Sequence, residues 1–308
     1  MGYDVIIIGG SFAGLSAAMQ LARARRDVLI LDTSTPRNRY AATSHGFPGQ
    51  DGQSPDAIAE ILSAELSAYA TVQIRGEEAR AASRHVEGFV VSLLNGEEIA
   101  ARRLILAYGV RDTLPDLPGL HERWGASVLH CPYCHGYEMN QQPLGVLARN
   151  EMAMHQAMLL PDWGPTTLFT QGNFAPTQDQ RQTLVKRGAT IEEVPITGLV
   201  GPAPVLEAVR LADGREVPLA GLFVAPQTAP SNDLGAMLGC ETKDGPTGPY
   251  LAVDGMQATS VPGVFAAGDL ASPMANATLA AAAGVVAGTA AHRSLIFDPD
   301  LADAEGNA

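Results

Sequence analysis

Asp4-Val5-Ile6-Ile7-Ile8-Gly9-Gly10-Ser11-Phe12-Ala13-Gly14 is the stretch that decides the fold. Its apolar run, Val5 to Ile8, is short and follows an acid rather than a basic segment, so it reads as a buried strand and not as a signal sequence. A turn from Gly9 to Gly14 comes next, then a helix expected from about Leu15 to Arg25, then a strand Val28 to Leu31 ending at Asp32. Strand, glycine turn, helix and strand with a terminal acid make a βαβ dinucleotide-binding unit. Gly9 permits the tight turn and Gly14 lets helix and strand pack closely. Ser11 stands where a glycine usually lets backbone approach a pyrophosphate; it is small enough to keep that approach and has a hydroxyl to donate. Phe12 and Ala13 lie in the loop ahead of the helix, whose free N–H groups and dipole favour an anion, and Asp32 is placed to accept from adenosine ribose hydroxyls.

Working outward, alternating residues Phe89 to Leu94 meet the hairpin pair Asn95-Gly96, and the apolar strand Leu104 to Ala107 follows. The same order returns downstream: strand Leu144 to Leu147, short helix Met152 to Leu160, strand Thr166 to Phe169, a hairpin at Asp213-Gly214, and strand Leu222 to Ala225. This repetition points to a duplicated dinucleotide-binding architecture, although α/β chains also look self-similar without duplication. Breaker-rich connections lie at Pro115 to Gly119 and from Pro226 to Asn232. The expected fold class is therefore α/β, with two Rossmann-like, three-layer ββα domains, the second inserted in the first. The outer domain takes residues 1–115 and 227–308, and the central one takes 116–226. The tail Phe297 to Ala308 is expected to fray.

The chain has 308 residues, 46% hydrophobic and 17% charged, enough for two packed cores. Its formal net charge of -13 argues against nucleic acid and anionic membrane as partners, because both require clustered Lys and Arg. Leu279 to Ile296 is apolar, but it is interrupted by Thr289, His292 and Arg293 and reads as a buried Ala/Gly helix rather than a membrane span. A cytoplasmic location is expected.

The second chemical signal is Cys131-Pro132-Tyr133-Cys134-His135. Three cysteines make no disulfide scaffold in a chain this long, and a close pair in a reducing compartment is redox-active or metal-binding. Zinc would need two further ligands; His130 and His135 flank the pair, but no distant ligand pair stands out, so no metal is expected. Cys240 reads as a small buried thiol.

A third signal is Val261-Pro262-Gly263-Val264-Phe265-Ala266-Ala267-Gly268-Asp269, a strand ending in Gly-Asp before an Ala-rich helix. Read as an ordinary turn, it carries no chemistry. Read with the first loop, it completes a flavin site: Asp269 holds a ribityl hydroxyl, and the helix starting near Asn276 and Ala277 aims its N–H groups at the flavin pyrimidine edge.

With the Gly9 loop, Asp32, the central CxxC and PGVFAAGD in that order, the chain resembles the low-molecular-weight thioredoxin reductase flavoproteins over nearly its whole length. The stretch Trp124-Gly125 with Val128 to Glu138 resembles most the dithiol oxidases that close disulfides in natural products of the gliotoxin and holomycin type. The resemblance implies a homodimer holding FAD, with a CxxC that exchanges electrons with a small-molecule dithiol or disulfide. It implies that Cys131 faces the substrate and that Cys134 reduces the flavin. His135 stands where the reductases carry an aspartate acid/base, and imidazole suits proton transfer near neutral pH. His130 is a second candidate, with a structural role as its alternative. His45, in the loop Ser44 to Gly49, is expected near the flavin as in the family, or simply on a surface turn. Ala107-Tyr108-Gly109 replaces a family threonine with Tyr108; Gly109 is kept among the cofactor residues.

One departure carries more weight. Where the reductases have a GxGxxA loop, this chain reads Ala148-Arg149-Asn150-Glu151-Met152-Ala153, and no arginine pair follows the next strand, which ends Phe169-Thr170-Gln171-Gly172. Arg149 and Asn150 would crowd a pyrophosphate and Glu151 would repel it, although Arg149 could contact an anion. NAD(P)H is therefore not expected, and oxygen becomes the simplest acceptor. The expected activity is an FAD-dependent dithiol oxidase. Its alternatives are a disulfide reductase fed by NADPH or a ferredoxin-type donor, and a flavin redox sensor without turnover.

Overall fold

The computed structural model describes residues 2–298, so the expected fraying of the last residues falls largely outside the described chain. The chain divides into two compact units: residues 1–39, 56–111 and 228–308, and residues 40–55 and 112–227.

The first unit is built on β1 (Tyr3–Ile8), α1 (Phe12–Arg23), β2 (Val28–Leu31), α2 (Pro55–Leu66), β3 (Val72–Arg75), β4 (Ala79–His85), β5 (Gly88–Leu93) and β6 (Glu98–Leu106). The sheet order is β3-β2-β1-β6-β5-β4. β1, β2, β3 and β6 run parallel, whereas β4, β5 and the first half of β6 form an antiparallel meander. The last residues of β6 also pair with the parallel strand Val264–Ala266. One strand thus joins two layers, which makes the three-layer ββα arrangement. In β1, Val5 and Ile7 enter the cluster under α1, while Ile6 and Ile8 enter the cluster under the meander. The period-two alternation feeds two cores from one run, which is why the run is unbroken.

The helix Ala277–Phe297 packs along α1. A Cβ on Gly284 or Gly288 would fall on the backbone of Ala13 or Ala17, so the two helices meet at backbone distance only because these positions carry no side chain. The sequence reading buried this helix whole. In fact one face is buried, at Gly284, Ala287, Gly288 and Ala291, while Leu279, Val285, Ile296 and Phe297 are exposed. By length and composition it is the one helix among the described residues that could cross a membrane.

The second unit repeats the plan. Its parallel sheet runs Thr190–Glu192, Thr166–Phe169, Leu144–Leu147, Gly221–Val224, Val128–Leu129, and Ile196–Val200, Ala208–Leu211 and Glu216–Pro218 form an antiparallel three-stranded sheet. Its helices are α3 (Pro132–His135), α4 (Met152–Leu159) and α5 (Gln178–Lys186), the last opened by a Thr177–Gln180 capping box. Residues 40–55, placed by sequence with the outer domain, group here instead. A Cβ on Gly125 would strike Tyr40, and His45 reaches Glu138.

Candidate active site

In the first unit the turn after β1 forms a cradle. Gly9 has φ +110° and lies against the Ala107 carbonyl, and a Cβ on Gly14 would fall on the Gly9 carbonyl oxygen. Both contacts admit only glycine. α1 starts without a side-chain cap from Ser11 and without an acid in its first turn, leaving the end of the helix suited to an anion. The Phe12 and Ala13 side chains are buried, which leaves only their backbone to face a ligand.

Asp32 accepts a hydrogen bond from the Gly10 N–H at 3.0 Å, and a Cβ on Gly10 would lie 2.8 Å from Asp32 Cβ. Sequence reasoning gave Gly10 no role, since it is a variable position of the loop pattern. Gly268, with φ +75°, brings its α-carbon side against Ala13, so the Gly-Asp turn adjoins the cradle. Asp269 is ion-paired with Arg37 at 2.9 Å. Arg37 was also missed; the one available hint was the cationic Arg37-Asn38-Arg39 in an acidic chain. The Asn276 side chain caps its helix by accepting from the Leu279 N–H at 3.1 Å, with Ala277 as first helical residue. Gly109 has φ +68° and open space beside it, and its carbonyl accepts from Ser231. Burial pushes the Tyr108 phenol up to about 12, and its oxygen accepts from the Gly235 N–H at 3.1 Å. These features fit a dinucleotide: two glycines admit a close backbone approach, and an acid stands at the end of β2.

In the second unit Cys131 and Cys134 form a disulfide with Cα atoms 5.3 Å apart, within the ordinary range. Cys131 is the N-cap of α3, and Pro132 fixes its first turn. Gly136 closes the turn against Trp163, whose ring meets Tyr133 edge-on at 5.3 Å. Tyr133 and Tyr137 stand 71% and 86% exposed beside the disulfide. Burial holds the His135 imidazole below its usual range; the Cys131 carbonyl and the Glu138 charge partly counter this. Neither ring nitrogen of His135 makes a hydrogen bond of normal geometry among the described residues. The His130 carbonyl accepts from buried Gln156 on α4 at 2.8 Å, fixing the chain just before Cys131. His45, expected near a flavin, lies 3.5 Å from Glu138, within the unit that carries the disulfide.

The segment 148–152 is tied to its own protein. Arg149 donates to the Thr113 carbonyl at 2.9 Å, Asn150 Oδ1 accepts from the Met152 N–H at 2.9 Å, and Glu151 accepts from Gln180 at 3.2 Å. Among the described residues no group of three or more His, Cys, Asp and Glu is arranged to hold a metal ion.

A dinucleotide cradle in one unit and an imidazole-flanked disulfide in the other define a flavin-dependent thiol-disulfide oxidoreductase. Residues 3–152 match the pyridine nucleotide-disulphide oxidoreductase family. Thioredoxin reductase sirT of Leptosphaeria maculans is 33% identical over 93% of this chain and 92% of its own, and thioredoxin reductase tcpT of Claviceps purpurea is 32% identical over 96% and 95%. Among solved structures, an oxidoreductase from Agrobacterium tumefaciens is 46% identical with TM-score 0.93, covering 96% and 99% of the two chains. HlmI is 39% identical with TM-score 0.90, covering 97% and 94%. The chain belongs to the pyridine nucleotide-disulphide oxidoreductases, among the thioredoxin reductase-like flavoproteins, as its motifs indicated.

Proposed function

We propose that this protein is a dithiol oxidase. It closes a disulfide in a small-molecule dithiol at Cys131-Cys134, using FAD held by Gly9, Ser11, Gly14, Asp32, Gly109 and Asp269. The observation that carries the reading is the loop 148–152: where reductases seat nucleotide phosphates, this chain puts Asn150, whose side chain accepts from the Met152 N–H, and an acidic N-cap, Glu151, at the start of α4. An acid at a helix N-terminus offsets the dipole that would otherwise draw a phosphate. FAD, when bound, supplies a two-electron acceptor, and molecular oxygen is the proposed terminal oxidant.

The chain's own part is thiol-disulfide exchange. A substrate thiolate attacks Cys131 Sγ, the Cys131–Cys134 bond breaks, and Cys134 leaves as thiolate. The second substrate thiol then attacks the mixed disulfide at the substrate sulfur, releasing Cys131 and the oxidised product. His135 accepts a proton from the incoming thiol, a transfer that imidazole suits near neutral pH. The exposed Tyr133 and Tyr137 beside the disulfide support a compact apolar substrate. The exposed apolar face of Ala277–Phe297 supports assembly with a second copy. A cytoplasmic setting, with its reduced thiols, suits a redox-active pair.

The names of the curated relatives favour a second reading, a disulfide reductase fed by NADPH or a ferredoxin-type donor. Anaerobic mixing with NADPH separates the two. The oxidase keeps its oxidised flavin band, and rapid bleaching would refute the proposal. Dithiothreitol in air should then give repeated turnover with peroxide, which a redox sensor would not sustain.

A further inference from the structure

Two carboxylates stand at the cradle of the first unit, Asp32 at the end of β2 and Asp269 in the Gly-Asp turn. In FAD a diphosphate joins the two sugars that these acids are assigned to hold, so the cofactor brings further negative charge to a site that already carries it. Electrons delivered to the flavin add to that charge, and like charges at close range disfavour one another. Arg37 answers this crowding. It starts the short turn Arg37–Tyr40, soon after Asp32 in the chain, and its Nη1 donates to Asp269 Oδ2 at 2.9 Å. Both side chains are 21% exposed, so water and salt screen the pair only in part. The approach to the turn is braced locally: Arg39 Nη1 donates to the Pro36 carbonyl at 2.8 Å, and the Thr33 and Thr35 hydroxyls are 2.8 Å apart. Gly268, next to Asp269, lies against Ala13 of the cradle. Within one unit, Arg37 thus reaches across 232 residues of sequence to the acid of the turn that adjoins the cradle.

We infer that Arg37 is the counter-charge of the flavin site: it fixes the Asp269 carboxylate for the ribityl chain and offsets its charge, so that FAD binds tightly and accepts electrons readily. The inference rests on the reading of Asp269 as an FAD ligand. A carboxylate accepts at both oxygens, so Oδ2 bound to Arg37 leaves Oδ1 to take a ribityl hydroxyl in a set orientation. Arg37 acts through Asp269 and is a positioning residue, not a catalytic one. A lysine at this position would supply the charge but not the planar fork.

The test uses the FAD-loaded protein and needs no substrate. FAD affinity is read from the flavin fluorescence released on serial dilution, and the flavin midpoint potential from titration against redox dyes. No residue of the turn 37–40 is buried, so substitutions there leave the cores intact. Arg37→Gln should weaken FAD about tenfold or more, the range for losing a hydrogen bond to a charged group. It should also favour oxidised over reduced flavin by about tenfold, a fall of about 30 mV for a two-electron couple. Arg37→Lys should hold the parent potential and recover part of the affinity. Asp269→Asn should weaken FAD without lowering the potential, and the double variant should bind FAD no more weakly than Asp269→Asn and regain the parent potential. A merely structural role for Arg37 would not give that return. Parent-like affinity and potential in Arg37→Gln, or single losses that add in the double variant, would overturn the inference while leaving Asp269 as a ligand. Asp269→Asn binding FAD as the parent protein does would overturn both.

Discussion

Gly10→Ala tests how tightly the cradle and Asp32 are fitted. The added carbon would lie 2.8 Å from both Asp32 Cβ and Cγ. Carbon atoms in contact sit about 3.5–4.0 Å apart, so loop and acid must separate by about 1 Å. The Gly10 N–H bond to Asp32, now 3.0 Å, does not survive that shift. A hydrogen bond to a charged group contributes about 1.5–3 kcal/mol, and displacing Asp32 also moves the acceptor assigned to the ribose. FAD affinity should therefore fall by about tenfold or more, measured by titrating FAD into stripped protein in a calorimeter. Asp32→Asn, which keeps the shape and removes the charge, should weaken FAD as well. The double variant should be little worse than Gly10→Ala, since both act on one contact. Parent-like FAD binding by Gly10→Ala would refute the assignment of this turn and acid as the cofactor's ribose site.

Three further outcomes follow from particular contacts. Tyr108→Phe leaves the Gly235 N–H without its acceptor and should cost about 1–3 kcal/mol, seen as a lower melting temperature; an unchanged melt would show that the phenol is dispensable. Gly284→Val drives a side chain into the Ala13 backbone and should cost about 1–3 kcal/mol while weakening FAD, whereas Thr289→Val on the exposed face should do neither. Burial keeps His135 less basic in the native state than in the unfolded chain, which protonates near its usual value of about 6.5. The unfolded state then binds more protons, so this residue's share of stability is whole above about pH 6.5 and is lost as pH falls toward the lowered native value. His135→Asn should flatten that acid-side decline in denaturant melts, and an identical decline would show that His135 is not its source.

Much of the architecture was legible because local patterns encode it. The run Val5 to Ile8 announced a strand buried on both faces, and Asn95-Gly96 announced a hairpin. Strands Val28–Leu31, Leu144–Leu147 and Thr166–Phe169 fall where their apolar runs lie. The spacing of the two cysteines left redox and metal roles open, and the family resemblance pointed to the disulfide that Cys131 and Cys134 form. What the sequence hid depends on distance along the chain. Arg37 and Asp269 are 232 residues apart and have no mutual signal. His45 read as a loop residue, near the cofactor or on a surface turn, and its approach to Glu138 from a remote turn had no signal in the sequence. The helix start near Asn276 and Ala277 was legible and lies there, whereas the burial of the Phe12 side chain had no local signal. Gly10 was invisible because its role is an absence of volume.

The ties around residues 148–152 set a threshold for anyone who would convert this protein to a nicotinamide enzyme. Arg149 anchors to Thr113, Asn150 tethers the opening of α4, and Glu151 is gripped from α5 by Gln180. Restoring a single glycine there would cut one moorline and leave two fastened. Grafting the whole loop, with Gln180 replaced as well, is the smallest redesign that empties the berth.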